Sequence, residues 1–202
     1  MINTNSLGLL SQLYFGLKDN LKKIYQNSNL YEKKISKTFD NYFQYKPSPH
    51  LLSSIIKYQN KKYRIEDFTI ESIWQSKMNT KDYEKLNNFF WFFSLDLKSS
   101  KKTTKSVIKN WIKDNGRYNK KSWEFDITSK RIIAWLSNHQ LTYEDGDKEY
   151  SLVFDHIIQK QTNHLLNEIK SSNNLENKLI GCSAIILTGL AYKNEKNYLR
   201  SG

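Results

Sequence analysis

The sequence predicts an all-α protein built from antiparallel helical hairpins. Apolar residues recur at spacings of three and four along most of the 202 residues, the pattern of one helix face after another. The only prolines, Pro47 and Pro49, stand close together near the front of the chain. Most connections between the periodic segments are short, and short connections bring successive helices back alongside one another.

Two helices are predicted before the prolines, over 7–26 and 29–38. One face of the first helix carries the apolar side chains Leu9, Leu10, Leu13, Leu17, Leu21 and Ile24. The prolines then interrupt the pattern, because each fixes its own φ and disfavours helix at the residue before it. Imperfect alternation over 61–70 predicts a short extended arm. We therefore divide the chain into a helical extension, 1–46, and a main domain, 47–202.

The aromatic run "FFWFF" is predicted to lie in a helix that begins near Thr80 as its N-cap. One stripe of this helix would consist of Tyr83, Leu86, Phe90, Phe93 and Leu97. Since Phe89 and Phe92 fall on other faces, the helix would be apolar nearly all round. That pattern is typical of a helix covered by neighbours on several sides.

Four further helices complete the prediction. The first contains Val107, Ile108, Trp111 and Ile112 and would end at Gly116 in a left-handed turn. The second contains Ile127, Arg131, Ile132, Trp135 and Leu136. The third covers 149–170, with an inward face of Val153, Ile157, Ile158, Leu165 and Ile169. The last opens at a capping box of Asn173 and Glu176 and runs to Tyr192.

Common catalytic and metal motifs are absent from the sequence. There is no Gly-rich phosphate loop, HExxH or GxSxG, and a single cysteine, Cys182, excludes an internal disulfide. His156 and His164 lie eight residues apart, further than the usual helical metal pair, so no metal or cofactor is predicted. Asp126 and Arg131 are predicted to form a structural ion pair.

The net charge of +12 indicates a polyanionic partner or a general bias toward lysine. Because lysine is used along the whole chain, the compositional bias is the favoured interpretation. No apolar run is long enough for a membrane span. No signal peptide is visible, which leaves the compartment open, with the cytoplasm as the default.

Tryptophans recur in a fixed order through the helical region. They lie in "FFWFFSLDL", "VIKNWIKDNG" and "SWEFDITSKRIIAWLSNHQ", which contain Trp91, Trp111, Trp123 and Trp135. The pattern Leu-x-x-Phe-x-Trp-Leu-x-x-Leu is filled by Leu86, Phe89, Trp91, Phe92 and Leu95, with phenylalanine in place of the second leucine. Over roughly 39–192 the chain resembles the N-terminal part of the bacterial heparinase II/III-like family.

The resemblance implies a partial α/α toroid around a cleft that holds an acidic polysaccharide. Full-length members cleave such a glycan by β-elimination at a uronic acid, for which the substrate carboxylate must be neutralised. It implies that Asn177 meets this carboxylate and that Trp123 and Arg131 bind the glycan. The catalytic tyrosine and histidine, the later toroid helices and a β-sandwich domain follow the matched region in the family. The chain is therefore expected to be an N-terminal fragment, inactive without the rest of the lyase, and periplasmic location becomes a second option.

The alternative is a non-catalytic helical module that binds polyanions, either nucleic acid or an acidic glycan. A toroid cleft should gather Arg131, Trp123 and polar residues from helix ends. A nucleic-acid binder should instead show lysines aligned along one exposed face. The ordered tryptophan motifs favour the toroid portion of a lyase over this module.

Overall fold

The computed structural model describes residues 4–37, 79–94, 101–144 and 147–193. In these ranges all regular structure is helical, which confirms the all-α prediction. The helices are α1 Thr4–Gln26, α2 Asn29–Ile35, α3 Thr80–Asn87, α4 Lys101–Asn115, α5 Phe125–Ser137, α6 His139–Thr142, α7 Lys148–Glu168 and α8 Leu175–Ala191. Short 3-10 helices cover Phe90–Ser94 and Ile169–Ser171. None of the helices in these ranges is long and apolar enough to cross a membrane.

Helix α5 lies at the centre of the core. It packs on α3, α7, α8 and the first 3-10 helix, and its side chains are buried on every side from Ile127 onward except at Lys130. Contact with α8 is close, because a Cβ added at Gly181 would lie 2.3 Å from the ring of Phe125. The predicted arm at 61–70 and the domain boundary at 46/47 lie outside the described residues. The arrangement of the helices as hairpins of a toroid stays a prediction.

The predicted helix through the aromatic run is wrong after Asn87. Helix α3 is capped by Asn79 instead of Thr80 and ends at Asn87. Phe89 then adopts a φ of 57°, and the Asn88 side chain accepts a hydrogen bond from the Phe90 N–H at 2.9 Å. Left-handed φ is unfavourable for a residue with a Cβ. Burial of the Phe89 ring, which is 0% exposed, offsets this strain.

Two other helix ends also differ from the prediction. Gly116 does not adopt a left-handed φ; a Cβ there would lie 2.4 Å from the Ile112 carbonyl oxygen, so the close backbone approach is what requires glycine. At the start of α8 the cap is Asn174, not Asn173. Its side chain accepts a hydrogen bond from the Asn177 N–H at 3.1 Å.

Most of the predicted inward face of α7 is buried, but Ile169 lies after the end of the helix and is half-buried. Ile157, Ile158 and Leu165 are buried as expected, but Val153 is exposed and Phe154 takes the core position. The Phe154 ring lies 5.7 Å from the Trp135 ring, between centroids. The larger aromatic side chain therefore fixes the rotation of the helix at this turn.

Candidate polyanion-binding surface

Arg131, which the resemblance places in a substrate cleft, lies in the interior of the protein. Its side chain is 0% exposed. The guanidinium donates to the carbonyls of Asn87 and Ser122, both at 2.9 Å, and to the Gln161 side-chain oxygen at 2.9 Å. It also stacks on Trp111, with 4.0 Å between Cζ and the ring centroid. Arg131 therefore connects α3, the segment before α5, and α7.

The predicted ion pair between Asp126 and Arg131 does not form. Asp126 pairs instead with Lys130, one helical turn away, at 2.6 Å. Within the described ranges no carboxylate lies at ion-pair distance from Arg131. Burial consequently lowers the pKa of Arg131 well below its usual value. Carbonyl dipoles and the face of Trp111 stabilise the charge in place of a counter-ion.

Trp123 is also buried, with 1% of its surface exposed. Its indole N–H donates to the Asn115 carbonyl at 2.7 Å, and Lys160 Nζ lies 5.4 Å from its ring centroid. A sugar could contact neither Trp123 nor Arg131 without opening the core. Asn177 is half-exposed in the first turn of α8, and no hydrogen bond among the described residues joins its side chain to either of them.

His164 holds the backbone of Trp123 from the side of α7. Its Nε2 lies 2.8 Å from the Trp123 carbonyl, which can only accept, so Nε2 carries the proton. Nδ1 then accepts from the Tyr31 hydroxyl at 2.7 Å. Burial lowers the pKa of His164 to about 4, which keeps the ring neutral. His164 is therefore a structural residue that links α7, α2 and the segment before α5.

Lys160 holds the other end of the same segment. It is buried, donates to the Gly116 carbonyl at 2.6 Å and is in close ionic contact with Glu32. The second carboxylate oxygen of Glu32 accepts from the Tyr118 N–H at 3.3 Å. The Tyr118 hydroxyl donates to Gln26 at 3.1 Å. Helices α1, α2 and α7 thus all contact the stretch that follows α4.

We call residues 116–124, between α4 and α5, the basic loop. Both ends of the loop are fixed by the buried contacts described above, and the Asn119 side chain accepts from the Lys121 N–H at 2.9 Å in its middle. Between these anchors the loop exposes three cationic side chains, Arg117, Lys120 and Lys121. The loop therefore has a defined backbone while its charged groups are open to solvent.

The outer face of α4 carries a second set of exposed cations. Lys102, Lys109 and Lys113 are seven and four residues apart, which places them within about 40° of one another around the helix and along roughly 16 Å of its axis. All three are exposed. The opposite face of α4 contributes the buried side chains Val107, Ile108 and Trp111. We call the two sets together the basic surface: Lys102, Lys109, Lys113, Arg117, Lys120 and Lys121.

Charge is concentrated in this part of the sequence. Residues 101–121 contain one acidic residue, Asp114. Their basic residues are Lys101, Lys102, Lys105, Lys109, Lys113, Arg117, Lys120 and Lys121. More than half of the net charge of +12 therefore lies in this short stretch. The spacing of seven and four along a helix with Trp111 on its buried face was the sequence signal that could have revealed the surface.

A buried carboxylate between α7 and α8 is a further feature that sequence reasoning missed. Asp155 accepts hydrogen bonds from the hydroxyls of Tyr143 at 3.2 Å and Tyr192 at 2.8 Å. Burial raises the pKa of Asp155 to about 6. The tyrosines lie 12 and 37 residues from Asp155 in the chain, so no local sequence pattern predicts the cluster. No group of three or more potential metal ligands occurs in the part of the chain described.

No protein-family model matches this chain, and comparisons with curated proteins and with solved structures found no match either. The resemblance to heparinase II/III-like proteins therefore stays a prediction.

Proposed function

We propose that this chain is a non-catalytic helical module that binds a linear polyanion through the basic surface. The observation that carries the proposal is the alignment of Lys102, Lys109 and Lys113 along the exposed face of α4, followed directly by the basic loop. Aligned cations attract a polyanion over a Debye length and release its condensed counterions on binding. Lysines along one exposed face are the arrangement expected of a nucleic-acid binder, and other linear polyanions can bind such a row through their charges.

The fixed backbone of the basic loop supports the same function. A loop that must be ordered on binding loses conformational entropy, and this loss weakens the complex. Here the buried contacts of Lys160 and His164 hold the loop before any ligand arrives. Only the side chains of Arg117, Lys120 and Lys121 have to be ordered.

The basic surface is better suited to recognising the charge and spacing of a polyanion than to recognising the bases of a nucleic acid. Single-stranded nucleic acids are commonly held by bases stacked on exposed aromatic rings. Trp111 and Trp123, the tryptophans nearest the basic surface in sequence, are both buried, and Tyr118 is only half-exposed. An acidic polysaccharide is the partner implied by the family resemblance, and its charged groups can be bound by lysines and arginine. Duplex DNA, bound through its phosphates, is the competing ligand.

The decisive experiment is a binding titration with a sulfated glycan and with duplex DNA, at about 50 mM and about 200 mM salt. We expect Lys109→Glu with Lys113→Glu to weaken binding about tenfold or more at the lower salt, and binding of the wild type to fall steeply at the higher salt. The matched control is Lys33→Glu with Lys34→Glu on α2, which removes two exposed lysines and changes the net charge equally. If both double variants lose the same affinity, net charge alone explains binding and the proposal is wrong.

A lyase fragment remains the second proposal, supported by the order of the tryptophan motifs. Its test is the ultraviolet absorbance of the unsaturated product when the chain is incubated with a uronic-acid polysaccharide. We expect no product, because the predicted substrate residues Trp123 and Arg131 are buried. Product formation that is lost in Asn177→Ala would overturn the non-catalytic proposal, together with the expectation that a lyase fragment is inactive by itself, and would favour an active lyase.

A further inference from the structure

Helix α1 carries an exposed apolar ridge that no described residue covers. Tyr14, Leu17, Leu21 and Ile24 are 64%, 63%, 66% and 69% exposed. Spacings of three, four and three residues place them on one face of the helix. We call these four residues the α1 ridge. Scattered apolar side chains are normal on a protein surface, but four in line mark a site of contact.

The opposite side of α1 is bound to the body of the protein. Lys22 donates to Glu168 at 2.6 Å, and Gln26 donates to the other oxygen of the same carboxylate at 2.8 Å. Lys22 lies about 100° around the helix from Leu21. The α1 ridge therefore faces away from α7 and toward the exterior.

Exposed lysines are close to the α1 ridge in the sequence. Lys18 and Lys23 are exposed on α1, as are three more on or just after α2: Lys33, Lys34 and Lys37. The only exposed acid over 14–37 is Asp19, because Glu32 is in contact with Lys160. An apolar helix face in a segment rich in exposed lysines is the pattern of helices that lie in the interface of an anionic membrane. The phenol of Tyr14 suits the same interface, since its ring is apolar and its hydroxyl polar.

We infer that the α1 ridge docks on the surface of an anionic phospholipid bilayer. Charge complementarity favours this occupant over a second copy of the chain. Pairing two ridges would bring like-charged lysines together, whereas anionic headgroups neutralise them. The inference is independent of the proposed function, because it concerns α1 and not α4 or the basic loop.

The test uses the full chain and vesicles, either of phosphatidylcholine alone or with phosphatidylserine added. We expect co-sedimentation only with the anionic vesicles. The double variant Leu17→Glu with Leu21→Glu should lose most of this binding. The matched control is Leu175→Glu with Leu179→Glu on α8, leucines that are 71% and 61% exposed. The control should bind like the wild type.

A second readout separates insertion of the ridge from adsorption by charge. Cys182→Ser with Leu21→Cys allows an environment-sensitive dye to be attached at the ridge, and the same dye at Leu179→Cys serves as reference. We expect a blue shift with anionic vesicles at position 21 alone. Lys109→Glu with Lys113→Glu should weaken binding to glycan or DNA and leave this shift in place.

Three outcomes would overturn the inference. The first is equal loss of vesicle binding in the ridge variant and the α8 control. The second is vesicle binding without a dye shift at position 21, which indicates adsorption by charge. The third is a wild type that does not bind vesicles and is dimeric by light scattering, while the ridge variant is monomeric. This result would show that a second copy of the chain covers the ridge. Failure of glycan or DNA binding alone would leave the inference intact.

Discussion

The guanidinium of Arg131 lies 4.0 Å from the ring centroid of Trp111, and both side chains are fully buried. This contact joins the central helix α5 to the inner face of α4. The outer face of α4 carries Lys102, Lys109 and Lys113. The buried guanidinium of Arg131 therefore packs against the inner face of α4, whose outer face presents the exposed lysines.

Removal of the buried charge should be strongly destabilising. Arg131→Met leaves the buried carbonyls of Asn87 and Ser122 without their donor. Since each unsatisfied buried acceptor costs about 1–3 kcal/mol, we expect the free energy of unfolding to fall by about 3–5 kcal/mol. Lys130→Met, its neighbour, loses only a partly exposed ion pair and should change stability by less than about 1 kcal/mol. Urea unfolding of both variants makes the comparison. An Arg131→Met protein as stable as the wild type would show that the buried hydrogen bonds contribute little.

Substitution of Trp123 separates packing from ligand contact. Trp123→Ala should lower the free energy of unfolding by about 3–5 kcal/mol, because a large side chain leaves a cavity. Trp123→Phe keeps most of the packing but loses the hydrogen bond to the Asn115 carbonyl. We expect this loss to lower the free energy of unfolding by about 1 kcal/mol. Affinity of Trp123→Phe for a sulfated glycan should equal that of the wild type. A clear loss of affinity with native-like stability would restore Trp123 as a binding residue.

Gly116 should tolerate no larger residue, since an added Cβ meets the Ile112 carbonyl oxygen at 2.4 Å. We expect Gly116→Ala to lower stability by about 1–3 kcal/mol and to weaken polyanion binding by displacing the basic loop. The control is Gly16→Ala in α1, where an added Cβ meets nothing within 4 Å. It should raise stability by about 0.5–1 kcal/mol, because alanine is the better helix former. Equal effects at the two glycines would contradict the steric argument.

Two buried groups should give opposing pH dependence in mildly acidic solution. The pKa of His164 falls from 6.5 to about 4 on folding, so its contribution to stability is lost as pH falls through this window. The pKa of Asp155 rises from 3.8 to about 6, so its contribution is present at low pH and lost as pH rises through that window.

The variant Asp155→Asn isolates the histidine contribution. Removing the carboxyl group removes the opposing trend, so stability should rise with pH more steeply than in the wild type between about 4 and about 6. Urea unfolding across this range measures both slopes. Parallel slopes in the two proteins would show that Asp155 has the same pKa folded and unfolded.

Periodicity in the sequence was enough to locate most helices, because a helix buries its apolar face wherever it packs. It failed at Asn88 and Phe89, where one side-chain cap turns the chain against a strongly helical pattern. It also failed for Arg131, whose acceptors Gln161 and Asn87 lie 30 and 44 residues away. Such partners are chosen by tertiary packing, which local patterns do not contain.

The basic surface is also only partly visible in the sequence. The lysine spacing on α4 is visible in the sequence, whereas the position of the basic loop depends on Lys160, His164 and Glu32, which belong to two distant helices. Sequence alone could therefore predict the helical half of the surface and not the loop.

The contacts that hold the basic loop also have a kinetic consequence. Tyr118 meets Glu32 across 86 residues, and the contacts of Gly116 with Lys160 and of Trp123 with His164 span 44 and 41. Contacts between residues far apart in sequence form slowly, because the intervening chain must first close a long loop. A growing chain on the ribosome cannot complete the loop until α7 has been synthesised. A chain that has not yet formed these contacts therefore carries the cations of the basic loop without holding them in their final arrangement.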